Sequence, residues 1–206
     1  MTQLNNGDKL TISLRYWLQG RGYFQTLEAM DWAGGYHSGF RKDGVTPEFL
    51  HQVQIAHYVR TLSNVRDMPA ALTTVMLHDL REDHGIAHEE VERRFGSDVA
   101  GAVDCLTKEF RGHRHADEKV FERIGNNAIA SVVKGADRIH NMGSMVGVFK
   151  VSKQKEYVHE CKRLFLPMLK TARRAFPDQE PCYENIKMML KSQISLIESI
   201  HTTQGE

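Results

Sequence analysis

Apolar residues recur at three- and four-residue spacing along almost the whole of this chain, and residues that would interrupt such a pattern are scarce. Only five prolines occur, at positions 47, 69, 167, 177 and 181. No Asn-Gly or Asp-Gly pair sits between alternating β-branched runs, although Asp43-Gly44 is a turn candidate. The expectation is therefore an all-α bundle of about eight or more helices with no sheet of consequence.

The pattern predicts helices over Phe24–Tyr36, over Ile86–Phe95 with Gly96 ending it, and over Asn127–Met142. Thr46 reads as the cap of a helix with Pro47 at its first position, running to about Leu62. A further helix is expected from Pro69 to Leu80, and another from a Ser97 cap through Leu106. Residues 108–118 read as a polar loop, and two long helices over about 153–176 and 181–201 close the chain.

At 206 residues the chain fits one domain. Its 27 basic and 26 acidic residues leave a net charge of +1, which argues against a dedicated nucleic-acid binder. Three well-separated cysteines, Cys105, Cys161 and Cys182, point to a reducing compartment rather than a disulfide framework. The first ten residues lack an apolar signal core, and no run approaches the ~20 apolar residues of a membrane span. The expected setting is cytoplasmic, with neither membrane nor nucleic acid as partner. Eight Lys or Arg against two Glu between Lys150 and Arg174 read as a solvated face, with a phosphate-attracting wall as the sharper alternative.

Eleven histidines raise the question of where they sit. The segment Leu77-His78-Asp79-Leu80-Arg81-Glu82-Asp83-His84 ends an apolar helix in a cluster of titratable groups. A rigid helix that delivers His-Asp to its own end is a usual support for a metal ligand pair. In Lys134-Gly135-Ala136-Asp137-Arg138-Ile139-His140-Asn141-Met142, Asp137 and Asn141 lie one turn apart on one face. His51 and His57 lie upstream. Imidazole and carboxylate ligands without thiolate suit Mn²⁺, Fe²⁺ or catalytic Zn²⁺. Spacing alone cannot join His51 to His78, or Asp79 to Asp137; only the fold can.

The ordered set Arg41-Lys42-x-Gly44, His51, His78-Asp79-x-x-Glu82-Asp83 and Ala136-Asp137-Arg138-Ile139-His140-Asn141-Met142 resembles the HD-type hydrolase domain of the RelA/SpoT family. Arg94-Phe95-Gly96-Ser97-Asp98-Val99 and Leu106-Thr107-Lys108 are similar to that family as well, and the resemblance spans roughly residues 24–150. It implies an HD-domain helical bundle, with an N-terminal extension over 1–23, the hydrolase core over 24–150 and C-terminal helices over 151–206 packing on that core. Within 206 residues there is no room for synthetase and regulatory domains, so the expected type is the stand-alone small alarmone hydrolase.

The implied activity is removal of the 3′-pyrophosphate of guanosine tetra- or pentaphosphate, yielding GDP or GTP and pyrophosphate. The resemblance implies that His51, His78, Asp79 and Asp137 hold one Mn²⁺. Glu82 and Asp83 would position and activate water. Arg41 would pack on the guanine base, Lys42 would lie near the phosphates, and Asn141 would contact the sugar or base side. The partner is then a small polyanionic guanine nucleotide, and self-association of like copies stays open.

There are departures. Gln52 stands where the family has proline, and Gly143-Ser144-Met145 replaces an arginine-containing continuation. Arg81 adds a charge that could lie near the phosphates, and Arg138 reads as a structural partner of a buried carboxylate. His57 reads as packed, His84 and His88 as exposed, His113 and His115 as part of a solvated loop, and His140 as a neighbour of the ligands. His37, His159 and His201 carry no argument. Two further readings are open: an HD-domain hydrolase of another nucleotide (an adenosine alarmone, NADPH, a cyclic or simple nucleotide), and a nucleotide sensor without turnover.

Overall fold

In the computed structural model, which describes residues 5–203, α1 (Asn6–Gly20) opens on a capping box. The Asn5 side chain accepts from the Asp8 amide, and the Asp8 carboxylate accepts from the Asn5 amide. Leu14 and Leu18 are fully buried and pack this helix on α2 (Phe24–Gly34) and α3 (Leu50–Val59). His57 of α3 is bonded to the Leu10 carbonyl oxygen at 2.9 Å, so it packs between helices.

Helix α3 begins later than the sequence pattern predicts. Asp43 captures Thr46: its carboxylate accepts from the amides of Val45 and Thr46 at 2.9 Å and from the Thr46 hydroxyl at 2.5 Å. Thr46 therefore closes an Asx-type turn instead of capping a helix. An isolated bridge, Phe40 to Pro47, ties the two arms of that turn together.

Helix α4 (Met68–Leu77) is the centre of the core. Every residue from Ala70 to Leu77 is buried, against α2, α3 and the later helices α7 (Ser97–Leu106) and α9 (Ala128–Met145). The Asp67 side chain caps it through the Ala70 amide at 2.9 Å, with Pro69 in the first turn. The expected single helix to Leu80 instead breaks at His78–Asp79 and resumes as α5 (Leu80–His84). Gly85, at φ +66°, ends α5 in the left-handed conformation that glycine adopts without steric cost.

Helices α6 (His88–Phe95) and α7 (Ser97–Leu106) follow, with Gly96 in the cap position expected of Ser97. The expected loop over 108–118 holds a two-stranded antiparallel hairpin, β1 (Glu109–Phe110) with β2 (His113–Arg114). Then come α8 (Asp117–Gly125) and α9 (Ala128–Met145), whose cap Asn127 accepts from the amides of Ile129 and Ala130.

Helix α10 (Val151–Glu160) runs through a π-helical turn, Cys161–Phe165, into α11 (Leu166–Ala175). Pro167 explains the irregular turn, because its ring has no N–H and clashes with the preceding turn. Helix α12 (Glu180–Thr203) packs along α9, and Gly135 lets the two approach closely. The buried hydroxyls of Ser131 and Tyr183 meet at 2.9 Å, and the Gln179 amide donates to Tyr183 at 2.7 Å. The all-α expectation holds, with twelve α-helices and one hairpin among the described residues.

Candidate metal centre and adjoining cleft

The break between α4 and α5 brings His78 and Asp79 to the end of the most buried helix, where α3 supplies His51 and α9 supplies Asp137. His51, His78 and Asp79 each present a ligand atom within 4.8 Å of the others. Asp137 adjoins them: its Oδ1 lies 3.2 Å from His51 Nε2 and 4.0 Å from His78 Nε2. The two imidazoles and Asp137 are buried, whereas Asp79 is partly open to water.

His78 donates from Nδ1 to the Val75 carbonyl oxygen at 2.8 Å, so the lone pair of its neutral form sits on Nε2. That Nε2 is buried, lies 3.1 Å from Asp79 Oδ2, and has no partner in hydrogen-bond geometry. A buried nitrogen facing two carboxylates without a hydrogen bond, in a set of imidazole and carboxylate donors, fits a divalent cation.

Without a cation the cluster titrates as a unit. Burial pulls the His78 pKa down, but the nearby charge of Asp79, then that of Asp137, outweighs it and raises it to about 9. Burial works against ionised Asp137, yet Lys134, His51 and His78 hold its pKa well below the ordinary value. Asp79 is likewise lowered, by His78 against the cost of burial. Behind His51 lies His140, whose Nδ1 is 2.8 Å from His51 Nδ1 and whose Nε2 is 2.8 Å from Gln54 Oε1. Burial, then the charges of His51 and Arg41, push the His140 pKa down to about 3.

A relay of side chains leads from the cluster outward. Asn141 donates to Asp137 Oδ1 at 2.6 Å, and Arg41 donates to Asn141 Oδ1 at 2.8 Å. Lys134 pairs with Asp137 Oδ2 at 3.3 Å. Arg41, Lys42 and Asn141 line a cleft of about 390 Å³ with Glu48, Ser144, Phe149 and Tyr157. Lys42 Nζ sits 5.2 Å over the Phe149 ring.

Glu82 and Asp83 lie on α5, exposed. Glu82 accepts from the Lys108 amide at 2.9 Å, which ties α5 to the segment leading into the hairpin. Desolvation, then the charges of Asp79 and Glu82, raise the Asp83 pKa.

Several sequence expectations fall elsewhere. Arg81 is turned away from the cleft: it is buried, 3.0 Å from Asp104, with its guanidinium over Phe110. Asp104 belongs to α7, and no local signal in the α5 segment reveals it. Arg138 pairs with Glu160 at 2.6 Å and lies over Phe165, as a structural residue does. None of the basic residues over 150–174 lines the cleft, and Lys153, Lys162, Arg163 and Arg173 are in ion pairs.

His88, expected to be exposed, is half-buried and paired with Asp104 at 2.8 Å. His84, His113 and His115 are exposed. Sequence reasoning passed over His37, which is buried, 3.4 Å from Gln52 Nε2 and 3.7 Å from Glu48. It also passed over Gln54, which shares the face of His51 by its three-residue spacing.

The family description "HD domain" matches residues 29–175. Over 140 residues, 64% of this chain and 18% of the relative, the chain is 31% identical to a Synechocystis protein named probable guanosine-3′,5′-bis(diphosphate) 3′-pyrophosphohydrolase. A Vibrio cholerae protein named guanosine-3′,5′-bis(diphosphate) 3′-pyrophosphohydrolase is 27% identical over 64% of this chain and 19% of its own length. A Streptomyces antibioticus GTP pyrophosphokinase is 28% identical over 70% of this chain and 17% of its own length. The chain thus spans about a fifth of the length of these curated relatives. A solved structure described as a metazoan ortholog of SpoT that hydrolyzes ppGpp superposes with a TM-score of 0.61 at 19% identity, covering 84% of this chain and 94% of that one. The fold is thus shared with that structure, and by the match over residues 29–175 the chain belongs to the HD domain family.

Proposed function

We propose that this chain hydrolyses the 3′-pyrophosphate of guanosine tetra- or pentaphosphate, giving GDP or GTP and pyrophosphate. The observation that carries the reading is the buried His78 Nε2, without a hydrogen bond, beside His51, Asp79 and Asp137 and close to the cleft that Arg41, Lys42 and Asn141 line. The names of the curated relatives point to the same guanosine bis-diphosphate chemistry.

In this reading His51, His78, Asp79 and Asp137 hold one divalent cation, Mn²⁺, per site. Such a cation supplies Lewis acidity, which acidifies water and offsets phosphate charge. Glu82 and Asp83 orient the attacking water and accept its proton; the raised pKa of Asp83 makes it a better proton acceptor than an ordinary carboxylate. The water oxygen bonds to the 3′-linked phosphorus, the bond from that phosphorus to the ribose 3′ oxygen breaks, and the oxygen leaves with a proton. Arg41 stacks its planar guanidinium on the guanine, Lys42 draws the phosphates, and Asn141 faces the sugar or base. Residues 24–150 carry this machinery, with 1–23 as an extension and 151–206 as supporting helices. The setting is the cytoplasm; among the described residues no helix is long and apolar enough to cross a membrane.

Ser144 in the cleft wall, within the stretch where the family's arginine-containing continuation is absent, favours a second reading: the same chemistry on another nucleotide. A nucleotide panel incubated with the Mn²⁺-loaded protein separates the two. Guanosine tetraphosphate is expected to be consumed, and Asp79→Ala to abolish its consumption. Turnover of a different nucleotide alone supports the second reading, and binding without turnover supports a sensor.

A further inference from the structure

The two histidines of the seat are anchored differently at their far nitrogens. His78 gives its Nδ1 proton to a backbone carbonyl, and a carbonyl only accepts. His51 has no such fixed acceptor: its Nδ1 faces the Nδ1 of a second imidazole, His140, at 2.8 Å. Two neutral imidazoles share such a contact in either sense.

Only one sense leaves a lone pair on His51 Nε2 for a cation. His51 then carries its proton on Nδ1 and donates it to His140 Nδ1. His140 carries its own proton on Nε2, and that N–H finds Gln54 Oε1 at 2.8 Å. In the opposite sense, His140 donates to His51 and Gln54 turns its amide nitrogen toward His140. His51 Nε2–H then points at Asp137 Oδ1, 3.2 Å away, and a proton occupies the nitrogen a cation needs. Both arrangements hold one proton per imidazole, so they differ in direction and not in charge. The atom that Gln54 turns toward His140 at the far end of the relay decides between them: its amide nitrogen serves the second arrangement, its oxygen the first, and it is Oε1 that faces His140 Nε2. Gln54 sits three residues after His51 on α3, whereas His140 comes from α9.

We infer that Gln54 is a positioning residue that acts through His140 to hold His51 in the tautomer able to ligate a divalent cation. The inference rests on the metal-seat reading above and is independent of which nucleotide is hydrolysed. Partners behind a ligating histidine are typically worth about 10–100-fold in metal affinity.

The test is calorimetric titration of Mn²⁺ into the wild type, Gln54→Glu and Gln54→Met, with ¹⁵N NMR of the histidine rings in the Zn²⁺-loaded wild type. The Glu variant keeps an acceptor and is expected to bind Mn²⁺ at least as tightly as the wild type. The near-isosteric Met variant, lacking the acceptor, is expected to bind about 10–100-fold more weakly. The spectrum is expected to show the His140 proton on Nε2 and the His51 proton on Nδ1. Equal affinities for the two variants overturn the inference, as does a His140 proton on Nδ1. A wild type that binds neither ion overturns the metal seat itself, and the inference with it. A wild type that binds while Gln54→Met is unchanged overturns the relay alone. The wild-type spectrum decides the matter even where Gln54→Met fails to fold.

Discussion

At the scale of single residues, the cluster is four side chains around a buried His78 Nε2 that has no hydrogen-bond partner. Free of any cation the cluster is a proton-linked site, and its pH dependence follows from the shifts. The His140 pKa is depressed to about 3 by burial, so the unfolded chain takes up the proton first. Its contribution is complete above about 6.5 and is lost as pH falls toward 3. Lowered Asp79 and Asp137 add to the loss in acid. His78 has the opposite sign: raised to about 9, its contribution is complete below about 6.5 and is lost as pH rises through 9. Urea unfolding of the metal-free protein should therefore give its highest midpoint near neutrality, with lower values near pH 4 and pH 10. A flat profile would remove this account of the cluster.

Glu82→Ala should lower kcat by about 10²–10⁴-fold with the fold intact. Arg41→Ala should raise KM more than it lowers kcat; a pure kcat loss in steady-state kinetics would contradict base stacking. The residues of the seat lie in recognisable motifs, and the structure brings His51, His78, Asp79 and Asp137 together. What the sequence concealed were partners from other helices. Asp104 of α7 draws Arg81 away from the cleft, and Gln52 and Glu48 surround a buried His37 that no spacing announces. Such contacts depend on which helices meet, which local periodicity does not encode.

At the scale of elements, the helices were legible as existing and less so as bounded. Periodicity reports burial, and a buried face continues across a break, so α4 and α5 read as one helix although the chain kinks at His78–Asp79. That kink matters, because it sends a histidine and an aspartate into the same cluster. The late start of α3 has a different cause: an aspartate competing for a cap hydroxyl from within a turn. Packing between elements gives its own prediction. A Cβ placed on Gly135 would lie 2.7 Å from Ile186 Cγ2, closer than side-chain contacts allow. Gly135→Ala should then cost about 1–3 kcal/mol by overpacking the contact between α9 and α12. Thermal unfolding checks this, and an unchanged or raised Tm would mean that α12 shifts freely.

At the scale of the whole molecule, the cluster binds together elements far apart in the chain: α3, the junction of α4 and α5, and α9. A ligand bound only by the folded state stabilises the entire fold by mass action, about 2.7 kcal/mol at a hundred times Kd. Mn²⁺ should accordingly raise Tm in a concentration-dependent way in the wild type and much less in Asp79→Ala. Likeness to longer relatives covers about a fifth of their length, so the activity of this chain has to be measured on this chain. The decisive measurement is product analysis after incubating the Mn²⁺-loaded protein with guanosine tetraphosphate. GDP and pyrophosphate in equal amounts, both absent with Asp79→Ala, is the predicted result. Intact tetraphosphate, or release of single phosphates instead of pyrophosphate, would contradict it.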